Sequence, residues 1–158
     1  ASFRGKVNEI ILEQALEIHE NNFHKKNNIS LDTNDFDISF ARGLNLEDGA
    51  ATLTAFTGKI ISSKISSLLQ ENQNKNIKII VCGGGRKNLN LVKQIKINSN
   101  RNISFFNAED FNLNGDFIES QAFGYIAVRS VLSLPISFPS TTGCMAPCSG
   151  GEVINSLN

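Results

Sequence analysis

Residues 6–20 place Val7, Ile11, Ala15 and Ile18 at helical spacing and set Glu9, Glu13, Glu17 and Glu20 on another face, which predicts an amphipathic helix. Polar residues dominate from Asn21 to Asn34, and regular structure is expected to lapse there. Phe36, Ile38 and Phe40 then alternate with Asp37, Ser39 and Ala41, the pattern of a short strand or extended segment with three apolar side chains on one face. Gly43 allows a turn. Asn45, with Asp48 three residues on, marks a helix start, and Leu46, Ala50, Leu53, Phe56 or Thr57, Ile60, Ile65 and Leu68 keep helical spacing to about Gln70. Gly49, Ala50, Ala51, Ala55 and Gly58 on this helix are small enough to let a second backbone come close, and tight helix packing explains them more simply than ligand contact.

The second half alternates strand and helix. Ile77–Cys82 is short, β-branched and almost continuously apolar, as a strand buried on both sheet faces would be. Gly83, Gly84 and Gly85 end it, and Leu89, Leu91, Val92 and Ile95 carry the period of a following helix. Ile103–Phe106 is a second strand, so residues 46–106 read helix, strand, helix, strand: an α/β unit with a right-handed crossover. Phe111 and Leu113 lead to a final helix, capped by Asp116, apolar nearly all round from Phe117 to Leu132 and stopped by Pro135. A helix of that pattern belongs in a core. Arg129 on it is either a buried ion-pair partner or a surface residue. Beyond Pro135 the chain is too rich in proline and hydroxyls for a helix, and Gly150 and Gly151 keep the tail in loop form, as a terminal strand or surface clasp.

The totals narrow the function. At 158 residues and 41% hydrophobic content the chain suits one domain with a real core. Fifteen basic and fifteen acidic residues balance, which points away from nucleic acid or an anionic membrane surface and toward a small-molecule partner. Cys82, Cys144 and Cys148 with only two histidines support neither a disulfide framework nor a zinc site, and a reducing cytoplasm fits best. No stretch reaches the roughly 18 apolar residues of a membrane span, and the charged first 20 residues are unlike a secretory signal. His19 and His24 have no partner at ligand spacing and read as surface residues; polar clusters such as 71–76 read as solvated loop.

Two features carry candidate chemistry. A glycine turn between a strand and a helix lets a flat or anionic ligand meet the main chain near free N–H groups, although the spacing is neither the dinucleotide fingerprint nor a Walker loop. On its own it is either a nucleotide contact or a tight turn. Glu119, third in its helix, is either the return partner of a capping box with Asp116 or a ligand-facing carboxylate.

Val81-Cys-Gly-Gly-Gly-Arg-Lys-Asn88 and Gly115-Asp-Phe-Ile-Glu-Ser-Gln-Ala-Phe123, continuing through Ala127-Val-Arg-Ser130, Leu134-Pro-Ile-Ser-Phe-Pro139 and Ser140-Thr-Thr-Gly143, closely resemble the anhydro-N-acetylmuramic acid kinases of bacterial cell-wall recycling. Leu46-Glu-Asp48 with Ala51-Thr-Leu-Thr54, and Ser30-Leu-Asp32 with Asp35-Phe36, extend the resemblance over essentially the whole chain. It implies an actin-like ATPase (ribonuclease H-like) lobe, α/β, with helices packed on a mixed sheet. It also implies ATP-dependent phosphorylation of 1,6-anhydro-N-acetylmuramic acid, with opening of the anhydro ring to N-acetylmuramic acid 6-phosphate. Gly83, Gly84, Gly85 and Asn88 match the positions that lie against the adenosine of ATP, and Glu119 matches a sugar-facing acid.

The resemblance covers the C-terminal lobe alone. The phosphate loop Ser-Gly-Thr-Ser-Leu-Asp-Gly and the segment Asp-Thr-Gly-Pro-Gly-Asn, whose aspartate activates water, are not in residues 1–158. No catalytic residue, phosphate loop or metal ligand is therefore expected in this chain, and Mg2+ would be held mainly by the N-terminal lobe. A start at Ala1 fits an excised piece, a trimmed initiator or the downstream half of an interrupted gene. The expected partners are ATP, the anhydro-sugar, the N-terminal lobe and a second copy of the chain. The alternative is a non-catalytic nucleotide-binding or structural remnant of such a kinase.

Overall fold

A computed structural model describes residues 1–23, 32–69 and 75–154. His24, Ser30, Leu31, most of the 21–34 loop, and residues 70–74, which include most of the polar cluster 71–76, lie outside the described residues. The elements run α1 (Glu9–Phe23), α2 (Leu46–Leu68), β1 (Ile77–Val81), α3 (Leu89–Ile97), β2 (Ile103–Asn107), α4 (Ile118–Val131) and α5 (Pro139–Thr142).

Helix α1 starts where the Asn8 side-chain oxygen accepts the Ile11 N–H at 3.1 Å. It buries Leu12 and Ala15 and leaves Ile18 exposed, so the apolar stripe is turned by one residue from the predicted one. These two residues pack with Ala55 and Phe56 of α2, and Val7, Leu16, Phe36, Phe40 and Ile60 close around them. His19 is not the surface residue expected. Its ring stacks on Phe36 at 5.5 Å and meets Phe56 edge-on at 5.8 Å.

Residues 33–41 form two short 3-10 turns, Thr33–Asp35 and Ser39–Ala41, in place of the expected strand. Asp32 and Asp35 exchange capping hydrogen bonds, and Asp37 accepts the Ser39 N–H at 2.7 Å, so local side-chain bonds win over extended pairing. Gly43 makes its turn at φ +91°. Helix α2 begins as predicted, with Asn45 Oδ1 accepting the Asp48 N–H at 2.9 Å. Its covered face is the small-residue stripe, Gly49, Ala51, Thr52, Ala55 and Gly58, whereas the predicted Leu46 and Leu68 are exposed. A Cβ on Gly58 would sit 2.5 Å from that of Gln94, which shows how closely α3 crosses α2.

Strands β1 and β2 pair in parallel, Ile77 facing Ile103 and Val81 facing Asn107. Among the described residues the sheet has these two strands, so the expected mixed sheet is a parallel pair; outside it stands one antiparallel bridge, Ser137 to Cys148. Along β1, Lys78 and Ile80 are exposed, so one face is covered and not two.

The largest departure is α4. No residue of it is buried; Phe123, Tyr125 and Val131 are each about two-thirds exposed (65%, 64% and 65%). Among the described residues Arg129 pairs with no acid, yet it does not stand free: its Nε donates to the Pro135 carbonyl at 2.7 Å and Nη1 to the Tyr125 hydroxyl at 3.2 Å. Pro139 opens the one-turn helix α5, a first-turn position where its missing N–H is harmless, so the segment beyond Pro135 is not entirely loop.

Candidate functional site

The glycine turn and the start of α4 are stitched together, although about 30 residues separate them. Gly83 leaves β1 at φ +74°, a left-handed conformation that side chains resist. Its N–H donates to the Gly115 carbonyl at 2.9 Å. Gly84–Lys87 forms a 3-10 turn, and Asn88 then caps α3, its Oδ1 accepting the Leu91 N–H at 3.2 Å. Asn88 thus has a structural task beside any ligand role.

Arg86 is the centre of the arrangement, with one-tenth of its side chain exposed. One nitrogen, Nη1, donates to the Gly83 carbonyl at 2.8 Å and to Asp116 Oδ1 at 2.7 Å; the other, Nη2, donates to Glu109 Oε1 at 2.6 Å. Lys87 Nζ adds a bond to Asp116 Oδ2 at 2.9 Å. The guanidinium lies so close to the chain at 115 that a Cβ on Gly115 would be 2.7 Å from Arg86 Nε. A side chain at 115 would have to push the guanidinium and the Glu109 carboxylate aside.

These contacts set the ionisation of the site. Hydrogen bonds from Arg86 and then Lys87 hold the Asp116 carboxyl down at about 2. Arg86 keeps Glu109 below the usual carboxylate range, while Asp116 and Glu109 in turn push the Arg86 pKa up. All three are charged at neutral pH.

Asp116 is therefore an ion-pair partner and not the helix cap expected. Phe117 holds the N-cap position of α4 with no side-chain bond, and the Asp116 N–H donates to Asn114 Oδ1 at 3.1 Å and not to Glu119. The capping box is absent. Glu119 is exposed in the first turn of α4 and has no hydrogen bond or ion pair within the described residues, which leaves its carboxylate available to a ligand.

A groove of about 330 Å3 runs up to the turn, walled by Ile61 and Ile65 of α2, Ile79 of β1, Val92 and Ile95 of α3 and Phe105 of β2, and ending at Gly85 and Arg86. Of the expected nucleotide residues Gly85 lines it; Gly83, Gly84 and Asn88 do not, nor does Glu119. An added Cβ would meet nothing within 4 Å at Gly84 or Gly85, so packing does not demand glycine at either position.

Sequence reasoning missed Arg86 and Glu109, because nothing in the spacing of 86, 109 and 116 announces that they meet. It also missed a second cavity, about 540 Å3, where His19, Phe23, Phe36, Phe40 and Phe56 gather beside Asp35. The signal available for that cluster was His19 and Phe23 at i, i+4 on one helix. Among the described residues no three acids, histidines or cysteines gather to hold a metal, and no helix is long and apolar enough to cross a membrane.

A family model described as anhydro-N-acetylmuramic acid kinase matches residues 4–156. Curated proteins named anhydro-N-acetylmuramic acid kinase match as well. That of Pelagibacter ubique (strain HTCC1062) is 46% identical over 154 residues, 98% of this chain and 41% of the relative. The Zymomonas mobilis protein is 44% identical over 124 residues, 78% of this chain and 32% of the relative. The Caulobacter vibrioides protein is 35% identical over 154 residues, covering 98% and 39%. The chain thus spans about a third to two-fifths of the length of these relatives.

Proposed function

The chain belongs to the anhydro-N-acetylmuramic acid kinase family, and from that premise we propose that it serves as the C-terminal lobe of an ATP-dependent kinase acting on 1,6-anhydro-N-acetylmuramic acid. The reaction phosphorylates the sugar and opens its anhydro ring, giving N-acetylmuramic acid 6-phosphate. Within an actin-like fold this lobe supplies adenosine contacts from the glycine turn at 83–85 with Asn88, and a sugar contact from Glu119. The observation that carries the reading is the Gly83–Gly115 hydrogen bond braced by Arg86, which ties a nucleotide-type turn to the helix bearing the sugar-facing acid.

The chemistry of each part suits that division. The groove offers apolar walls to a flat base and a glycine turn at its end. Glu119, relieved of capping, can accept hydrogen bonds from sugar hydroxyls. Asp116 and Glu109 are committed to Arg86, so neither is assigned as a Mg2+ ligand. The metal, the phosphate loop and the general base are assigned to the part of the relatives that this chain does not span. The setting is the cytoplasm, with no nucleic acid or membrane as partner.

The test is reconstitution. The chain mixed with the separately made N-terminal portion of the Pelagibacter ubique relative should phosphorylate the anhydro-sugar when ATP and magnesium are present, and neither piece alone should. No turnover with both pieces folded would sink the proposal. Calorimetry with ATP and magnesium on Gly84→Ala and Gly85→Ala separates ligand contact from turn geometry. Both variants have room for the methyl, so weakened nucleotide binding with unchanged melting temperature is the expected result. Nucleotide binding without turnover in the mixture would favour the non-catalytic module.

A further inference from the structure

The segment beyond α4 folds back on itself and brings Cys144 beside Cys148. Ser137 and Cys148 form an antiparallel bridge: the Cys148 N–H donates to the Ser137 carbonyl at 3.1 Å, and the Ser137 N–H donates to the Cys148 carbonyl at 3.2 Å. Side chains directly across such a bridge lie about 4.5–5.5 Å apart. The Ser137 hydroxyl also meets the Thr142 hydroxyl at 2.5 Å, and Gly143 turns the chain at φ +72° immediately before Cys144. The bridge places Cys148 across from Ser137, and the Cys144 thiol is near enough to interact with Thr142, Ser137 and Cys148. Neither is in a disulfide; Cys148 is exposed and Cys144 partly so. Nothing in the kinase reading uses them.

We propose that Cys144 and Cys148 form a reversible redox site, oxidised to an internal disulfide by a low-molecular-weight disulfide such as that of glutathione. The two thiols are unequal. Hydrogen bonds from Thr142 and Ser137 lower the Cys144 pKa and favour its thiolate, whereas local desolvation and the charge of Cys144 raise that of Cys148. Cys144 is accordingly the attacking sulfur and Cys148 the resolving one. The Cys144 thiolate attacks one sulfur of the small disulfide, the S–S bond breaks, and one small thiolate leaves with the proton that Cys144 gave up. Cys148 then loses its proton, attacks the Cys144 sulfur and displaces the second small thiol. Two protein thiols are oxidised to one cystine while one small disulfide is reduced to two thiols. The cystine closes a ring over Met145, Ala146 and Pro147 at the surface.

Cys82, at the end of β1, is the third thiol and serves as the internal control. No Lys or Arg lies between Arg129 and Cys148, so trypsin releases both paired cysteines in one peptide that begins at Ser130. After incubation of the full chain with glutathione disulfide, this peptide should lose two hydrogens in mass and carry no adduct, and added dithiothreitol should restore it. In Cys148→Ser the same peptide should hold one glutathione, on Cys144; in Cys144→Ser adduct formation should slow at least several-fold. Overturning results would be two glutathione adducts on the wild-type peptide, no loss of its thiols, or a cystine joining either residue to Cys82. The wild-type peptide map decides even if a serine variant fails to fold.

Discussion

His19 shows how one residue couples burial to pH. Its ring is held among Phe23, Phe36 and Phe56, and burial lowers its pKa from the ordinary 6.5. The unfolded chain therefore binds the proton more readily. Stability from this site is full above about 6.5 and falls as pH drops below that value. Melting temperature should decline between pH 7 and 5.5, and His19→Phe should flatten that decline; an unchanged slope would remove His19 as its source. Asp116 acts in a lower window. Its folded pKa of about 2 lies below the ordinary 3.8, so its contribution is present above about 4 and is lost as pH falls through 2. Asp116→Asn should melt below the wild type at pH 6, with the gap closing as both are taken toward pH 2. The acid at the mouth of α4 was visible in the sequence, but its partner was not: an N-cap is a local pattern, whereas Arg86 reaches Asp116 only after β1 and β2 have paired.

At the scale of elements, legibility followed how local the cause was. The start of α2 was readable because Asn45 and Asp48 decide it between themselves. That α2 admits a close neighbour was readable too, from its small side chains, but not that α3 is that neighbour. Gly58→Val places a methyl-bearing carbon against Gln94 and should cost about 1–3 kcal/mol, measured by urea unfolding. A variant as stable as the wild type would mean that α3 can slide away. Residues 33–41 misled because the period-2 pattern does not register the aspartates that bond back to the backbone; these fold the segment into 3-10 turns in which Phe36 and Phe40 pack on the core and Ile38 stays exposed. Helix α4 misled for a different reason. An apolar period says that a face wants cover but not which chain provides it.

For the molecule as a whole, that uncovered face is the dominant fact. Phe123, Tyr125, Val128 and Val131 stand in water on one short helix, more apolar surface than an isolated domain keeps without consequence. The isolated chain should self-associate, with sedimentation showing dimers or larger species across a dilution series, and Phe123→Glu with Val131→Glu should shift it toward monomer. A wild-type chain that stays monomeric at every concentration would show the face to be tolerable. The parallel pairing of Ile77 with Ile103 bears on assembly of another kind. A hairpin can zip from its turn, but two parallel strands cannot begin until the whole connection between them has been closed, and closing it costs chain entropy before a single ladder bond forms. Here that connection contains α3, already anchored against α2 at Gly58. The sheet is thus expected to form late, once the helix has docked, and the Arg86 junction, which needs both strands in place, is expected after it. Substitutions at the α2–α3 crossing should slow refolding, while those at Arg86 or Asp116 should chiefly hasten unfolding.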